Sequence, residues 1–290
     1  MTYIEKIETW LKEIEKNLCN FISTIKIEKF HNNPHSGVAI IAPPYFYDKN
    51  ISDDQKKLQI DLKKKFSEWE EHFLLLTKNL SLDIKKTKIQ ESIKYIKKQI
   101  ELKSDWVIRS TIDGNIEEIK KRFGGIYNII NLFKGEDFII LIPDTNSLIK
   151  APDFKSYKDL AGEEITILLM PTVLSELDKL KIVHRDDNFR KKVESVINRI
   201  KGYRTQGSLL NGVAVYKTIV IKMIAKEPNF NNTLSWLDKN NNDDRFIASV
   251  IEYQVDNPSH RVFLVTSDIN LQNKAEMAKL PFFETPNASI

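Results

Sequence analysis

The spacing of apolar residues changes near Gly135, and this change most constrains what the chain can fold into. Before it, apolar residues recur at steps of three and four, as on the buried face of a helix. One such stripe contains Leu62, Phe66, Trp69, Phe73, Leu76 and Leu80. The pattern predicts four helices, over about residues 2–30, 52–80, 84–103 and 115–133. Residues 1–135 are therefore predicted to form an all-α domain.

After Gly135 the apolar residues gather in short β-rich runs separated by helical stretches. The runs read "DFIILI", "EITILLM", "TIVIKMIA" and "RVFLVT". Helices are expected between and after them, over residues 172–181, 188–204, 243–255 and 270–279. Alternation of strand and helix is typical of a parallel sheet in an α/β domain. Residues 136–290 are therefore predicted to form a second domain, of the α/β class.

Composition excludes several classes of protein. The single cysteine, Cys19, rules out a disulfide framework within the chain and a thiolate metal site, which fits a reducing compartment. The sequence contains no run of about 18 apolar residues, so no membrane span is predicted. The Glu-containing amphipathic start, "MTYIEKIETWLKEIEK", is unlike a targeting peptide, so a cytoplasmic location is expected. The net charge of +4 permits a nucleic-acid partner without requiring one.

Acidic residues occur where the strands of such a sheet would end. Asp144 follows the first strand and Asp268 the last, while Glu176 lies in the helix after "EITILLM". Asp243 and Asp244 begin the helix at "NDDRFIAS". Because working sites of parallel sheets lie at the carboxyl ends of the strands, these acids can converge. Singly, each has an ordinary explanation as a helix cap or a solvated side chain.

Together, clustered carboxylates repel one another unless a cation neutralises them. Oxygen ligands without His or Cys favour Mg²⁺ or Mn²⁺ over Zn²⁺. The five His residues show neither the spacing of a metal site nor that of a catalytic triad. The acids thus predict a hard divalent cation as cofactor.

Four segments, in this order, resemble the PIN domain nuclease family: "IPDTNSLI", "PTVLSELDKLK", "NDDRFIAS" and "VTSDINLQNKA". The sequences of these segments are most similar to the branch whose fourth motif reads like "TNDINLRNKA". The resemblance covers about residues 136–290, and residues 1–135 resemble no family that we recognise. It implies a three-layer α/β/α fold around a parallel sheet, with acids that bind Mg²⁺ or Mn²⁺.

The resemblance also assigns the site residues position by position. It implies catalytic and metal-binding roles for Asp144, Glu176, Asp244 and Asp268. Asp243 is an additional acid that could replace Asp244 as a ligand. Supporting polar positions are Thr145, Asn146, which matches the polar residue two after the first acid, and Ser267, which stands where this branch often has Asn.

The activity implied by the resemblance is metal-dependent hydrolysis of phosphodiester bonds, with single-stranded RNA as the expected substrate. Asp144, Asp244 and Asp268 would hold one or two cations, and Glu176 would bind directly or through water. One alternative is a structure-specific DNA nuclease, although such enzymes normally carry a helical arch inserted in the nuclease domain. Another is a catalytically inactive RNA-binding or scaffold protein whose acids are vestigial.

Basic residues near the acids are candidates for contacts with nucleic-acid phosphates. They are Lys181, Arg185, Arg190, Lys191, Lys192 and Lys274. Their ordinary explanation is a solvated helix face. For the helical domain, ordinary core packing is the first expectation, and a role in forming a homo-oligomer or binding a partner protein is the alternative.

Overall fold

The computed structural model describes residues 1–30, 43–78, 80, 89–103, 106–162 and 164–287. It divides into two compact units. One contains residues 4–134, and the other contains residues 1–3 and the chain from Gly135 onward. No helix in the described ranges has both the length and the apolar character needed to cross a membrane.

The first unit is built from helices. Its described helices are α1 (Tyr3–Ser23), α2 (Asp53–Leu76), α3 (Gln90–Ile100) and α4 (Ile112–Asn131). A capping box starts α2, because the Ser52 hydroxyl accepts from the Gln55 amide and the Gln55 side chain accepts from the Ser52 amide. The Thr111 hydroxyl caps α4 in the same way, through the Gly114 amide. The sequence therefore fixes the starts of these two helices locally.

Large aromatic side chains fill the core of this unit. The Trp69 ring lies fully buried and stacks on Phe73, with ring centroids 4.7 Å apart. Its indole N–H donates to the Ile7 carbonyl at 3.1 Å, so its one polar atom is satisfied. The apolar stripe predicted along the second helix is thus the face that packs inward.

The first predicted helix was expected over residues 2–30, and this boundary is wrong. The helix ends at Ser23, where the Thr24 hydroxyl donates to the Phe21 carbonyl at 2.8 Å and so caps the last turn. The chain then forms β1 (Ile27–Lys29), which pairs antiparallel with β2 (Tyr45–Tyr47). β-Branched residues at Thr24, Ile25 and Ile27 favour this extended segment over helix. The start of the helix predicted over 84–103 falls partly outside the described residues.

The second unit contains a six-stranded sheet in the order β5-β6-β4-β3-β7-β8. Its strands are β3 (Ile139–Pro143), β4 (Ile165–Leu169), β5 (Val213–Tyr216), β6 (Ile219–Met223), β7 (Arg261–Val265) and β8 (Phe282–Phe283). All neighbours pair in parallel except β5, which pairs antiparallel with β6. The predicted α/β class and the mostly parallel sheet are confirmed.

The helices of this unit alternate with its strands. They are α5 (Thr145–Lys150), α6 (Lys158–Ala161), α7 (Pro171–Val183), α8 (Asp187–Arg204), α9 (Asn242–Asp256) and α10 (Ile269–Met277). The chain steps across the sheet one way from β3 to β4 and β6, then the other way to β7 and β8. Because such crossovers are right-handed, α7 and α8 cover one face while α9 and α10 cover the other. The expected three layers follow from this topology.

The topology also fixes where a site can form. Strands β3 and β7 are neighbours, but the chain continues from them in opposite directions. It runs from β3 toward β4 and from β7 toward β8. Such a switch point opens a crevice beyond the carboxyl ends of the two strands, where ligands bind in open α/β sheets. Asp144 follows β3 at this edge, and Thr266 to Asp268 follow β7.

Candidate active site

Asp144 is held rigidly at the junction of β3 and α5. Its backbone amide donates to the Val265 carbonyl at 3.0 Å, which extends the pairing of β3 with β7. One carboxylate oxygen, Oδ1, caps α5 by accepting from the Ser147 amide at 2.6 Å. The other, Oδ2, accepts a hydrogen bond from the Thr266 hydroxyl. The carboxylate is thus oriented by α5 on one side and by the residue that follows β7 on the other, and the side chain is buried.

Burial raises the pKa of the Asp144 carboxyl above its ordinary value. Hydrogen bonds from Ser147 and Thr266 act against this rise, and the negative charge of Asp268 adds to it. The acids at the ends of β3 and β7 lie near each other, because both residues form a hydrogen bond with Thr266. A cation placed beside Asp144 would favour its ionised form.

Glu176 reaches the same edge from the other side of β3. Pro171 starts α7 directly after β4, where its missing N–H is not needed. Five residues later, the Glu176 carboxylate accepts a hydrogen bond from the Thr145 hydroxyl at 2.6 Å. Thr145 follows Asp144 directly, so the residue after the first acid orients the second acid.

Asp243 and Asp244 occupy different environments at the start of α9. The Asn241 side chain caps this helix by accepting from both of their amides, at 2.9 and 3.2 Å. Asp244 is buried, and its Oδ2 accepts from the Asp238 amide at 3.0 Å. Asp243 is only half-buried. The two neighbouring acids are therefore not equivalent.

Lys274 pairs with both of these acids. Its Nζ lies 2.8 Å from Asp244 Oδ1 and 3.3 Å from Asp243 Oδ2. Burial alone would lower the pKa of Lys274, but the two carboxylates outweigh it and the pKa is raised overall. The predicted role of Lys274 as a free phosphate-binding cation does not agree with this arrangement, because its charge is already paired.

Asp268 caps α10 at the end of β7. Its Oδ1 accepts from the Asn270 amide at 2.8 Å and the Leu271 amide at 3.3 Å. Its own amide donates to the Thr266 hydroxyl oxygen at 3.0 Å. Thr266 thus links Asp144 with Asp268, although the sequence did not single it out as a site residue. The available sign was its position in the sequence. Thr266 comes directly after β7 and continues the every-second-residue series of Val262 and Leu264, and all three side chains are buried.

An open cleft of about 100 Å³ brings most of the predicted acids together. Its lining comprises Asp144, Thr145, Asn146, Thr172, Val173, Glu176, Asn242, Asp243, Phe246, Asp268 and Leu271. Asp244 is not among these residues, and neither is Ser267, whose hydroxyl accepts from the Thr285 amide at 3.2 Å. In this conformation, no three His, Cys, Asp or Glu side chains of the described residues are close enough to coordinate one ion. The acids therefore line a cleft and do not converge on a single coordination position.

The cleft nevertheless suits a hydrated hard cation. Four of its lining side chains are carboxylates, and Thr145, Asn146 and Asn242 add neutral oxygens. Thr172 also lines the cleft, and its buried hydroxyl has no hydrogen-bond partner among the described residues. Carboxylate, amide and hydroxyl oxygens are the donors that Mg²⁺ and Mn²⁺ prefer. The chemistry of the donor set thus fits the predicted metal.

The predicted phosphate-binding residues of α7 and α8 fall into two groups. Lys181 pairs with Glu194 at 3.1 Å, and Arg190 pairs with Asp187. Arg185, Lys191 and Lys192 are exposed, and none of them forms an ion pair within the described ranges. Of the predicted phosphate-binding residues, these three therefore carry positive charge that no acid in the described ranges pairs with.

Comparison with known proteins agrees with the architecture. A family model described as the PIN domain matches residues 141–285, half of the 290-residue chain. The match begins within β3, extends past β8 and includes all five acids discussed above. No curated protein shows significant similarity to the sequence. PIN domains have a nuclease fold and generally depend on a divalent metal. The family match, together with the parallel sheet and the acids at its carboxyl edge, shows that this chain belongs to the PIN domain family.

Proposed function

We propose that the protein is a Mg²⁺- or Mn²⁺-dependent endoribonuclease that hydrolyses phosphodiester bonds of single-stranded RNA. The observation that supports this proposal best is the cleft at the switch point, where Asp144, Glu176, Asp243 and Asp268 face one open space. Its donors are all oxygens, and it is open to solvent, so an extended polyanion can enter it.

Each acid has a distinct part in this proposal. Asp144, Asp268 and Asp243 would hold the cation, because all three line the cleft. Glu176, oriented by Thr145, would bind the ion directly or through a water molecule. When bound, the ion supplies Lewis-acid stabilisation of charge that develops on the phosphate. Asp244 was the expected third ligand, but we assign this part to Asp243, because Asp244 is buried and bonded to the Asp238 amide.

Single-stranded RNA is favoured over structured DNA by the connection after Glu176. Helix α7 ends at Val183 and α8 begins at Asp187, and every residue of this turn is described. No helical arch of the kind expected for a structure-specific DNA nuclease is inserted there. The open cleft instead fits a flexible strand, with specificity for a particular RNA left to contacts outside the cleft.

Contacts with the RNA backbone are proposed for the unpaired cations Arg185, Lys191 and Lys192. Burial of α7 is confined to its first half, so its last turn and the start of α8 extend into solvent. From Glu176 to Val183 the helix rises about 10 Å, at 1.5 Å per residue. These cations therefore lie within reach of a strand whose scissile phosphate occupies the cleft, and they would contact phosphates without reading sequence.

The proposal is tested with a fluorescent single-stranded RNA and a matched DNA, incubated with Mn²⁺, Mg²⁺ or EDTA. We expect metal-dependent RNA cleavage that Asp144→Asn and Asp243→Asn abolish. Asp178→Asn, on an exposed position of α7, is the matched control and should cleave like the wild type. Preferential cleavage of DNA would favour the alternative nuclease, and cleavage that survives in Asp144→Asn would refute the assigned site.

A further inference from the structure

The ammonium group of Lys274 lies in a cage of oxygens next to the cleft. Besides Asp244 Oδ1 and Asp243 Oδ2, at 2.8 and 3.3 Å, the Asn241 side-chain oxygen lies 3.1 Å from Nζ. Two carboxylates and an amide oxygen are also the donors of a hard-cation site. The ammonium group of Lys274 thus occupies the place at the start of α9 where these oxygens could otherwise bind a metal cation.

We propose that Lys274 permanently fills this second cation position, so that the cleft holds one divalent ion rather than two. The inference rests on the proposed function only in assuming that the cleft binds a divalent metal. It makes Lys274 a positioning residue, which sets the number of metal ions and does not itself contact the substrate.

The surroundings of Lys274 keep its ammonium group in place. The side chain is only 23% exposed, and it projects from α10 toward the first turn of α9. Lys274 lies three residues after the buried Leu271 and one before the buried Ala275, on the inward side of α10. A flexible surface lysine would sample many positions, whereas this one loses that freedom to packing and to three polar partners.

Charge balance supports the same conclusion. Among the described residues, Lys274 is the only basic side chain that forms an ion pair with any of the acids at positions 144, 176, 243, 244 and 268. A divalent ion placed against Asp243 and Asp244 would have to displace the ammonium or lie beside it. Displacement would leave a mostly buried cation without its partners, which is costly. The remaining acids, on the Asp144 and Asp268 side, are free of this competition.

The arrangement also accounts for the different environments of the paired aspartates. Lys274 and the Asp238 amide bind the two oxygens of Asp244, so this carboxylate faces away from the cleft. Asp243 shares the ammonium through one oxygen and still lines the cleft. One acid of the pair therefore anchors the lysine, and the other remains available to the metal.

The test is calorimetric titration of the full-length protein with Mn²⁺, without RNA, so that it does not depend on cleavage. We expect one ion per wild-type chain. In Lys274→Met, which keeps a long apolar stem but removes the charge, we expect a second ion or about tenfold tighter binding, as when a unit charge is removed near a divalent ion. Lys217→Met removes an exposed lysine from the β5–β6 turn and should titrate like the wild type.

Two results would overturn the inference: two ions in the wild type, or a folded Lys274→Met whose stoichiometry and affinity are unchanged. If circular dichroism shows that Lys274→Met does not fold, the wild-type stoichiometry still decides, and Lys274→Arg, which retains the charge, should keep one ion. A protein that binds one Mn²⁺ but cleaves no RNA would refute the proposed nuclease and leave this inference standing. A protein that cleaves RNA with two bound ions would support the proposed nuclease and refute this inference.

Discussion

Replacing Thr266 with valine should damage the site more than any other change that leaves every acid in place. The Thr266 hydroxyl is fully buried, donates to Asp144 Oδ2 and accepts from the Asp268 amide. Valine has nearly the same shape but can do neither. The Asp144 oxygen and the Asp268 amide would then both lie at the sheet edge without this partner.

The expected cost follows from these two bonds. A hydrogen bond to a charged group contributes about 1.5–3 kcal/mol, and an unsatisfied buried amide costs about 1–3 kcal/mol. We expect Thr266→Val to lower the free energy of unfolding by about 3 kcal/mol. For a unit of this size, that corresponds to a fall in Tm of about 6–12 °C. Because the Thr266 bond is one of the influences that hold the pKa of Asp144 down, the variant should also raise this pKa further.

Thr266→Ser is the matched control, because it keeps the hydroxyl and removes one methyl group. Loss of a buried methyl group should cost about 1 kcal/mol. Differential scanning calorimetry of the three proteins at pH 7, with and without Mn²⁺, measures the difference. If Thr266→Val and Thr266→Ser are equally stable and bind Mn²⁺ equally well, Thr266 does not organise the acids and the reasoning is wrong.

Three further perturbations test other parts of the structure. Mn²⁺ at about 100 times its Kd should stabilise the wild type by about 2.7 kcal/mol and raise its Tm by about 5–10 °C in scanning fluorimetry, while Asp144→Asn should show almost no shift. Burial lowers the pKa of His260, so its contribution to stability is present above the unfolded value near 6.5 and is lost as the pH falls through the lower folded value. The free energy of unfolding in urea should therefore change less between pH 7.5 and pH 5.5 in His260→Gln than in the wild type. An equal change in the two proteins would contradict this. Replacing Arg185, Lys191 and Lys192 with alanine in the Asp144→Asn background should weaken RNA binding in fluorescence anisotropy and flatten the slope of log K against log salt by about 2. The same charge change at the exposed residues Lys29, Lys49 and Lys64 is the control, and an equal loss there would mean that binding follows net charge alone.

The sequence predicts the sheet well where a strand has a neighbouring strand on each side. The runs that became β3, β4, β6 and β7 are rich in Ile, Leu and Val, and such runs are typical of central parallel strands. Strands β5 and β8 lie at the two edges of the sheet, where sequence imposes weaker demands. The segment "VAVY" of β5 is only half-buried and carries an irregularity between Ala214 and Tyr216. Pairing with a neighbour, rather than local sequence, defines such strands.

The site shows a similar division between local and long-range information. Position along the chain was enough to place Asp144, Glu176 and Asp268 at one edge of the sheet. It could not separate Asp243 from Asp244, because a difference of one residue on a helix turns the side chain by about 100°. It also could not show that Lys274 pairs with them, since this contact joins two helices 31 residues apart in sequence. The buried stripe of α10, to which Lys274 belongs, was the available sign that this lysine is not a surface residue.

Two explanations that the sequence set against each other, helix cap and site residue, are compatible with each other for Asp144 and Asp268. Each acid begins a helix, and each uses Oδ1 for the cap. In Asp268 the cap leaves Oδ2 without a hydrogen bond to the described residues, and in Asp144 only the Thr266 hydroxyl binds the second oxygen. A cap therefore fixes the orientation of a carboxylate without using all of its acceptor sites. A strand that ends in a capping Asp therefore holds a cation ligand ready at the edge of the sheet.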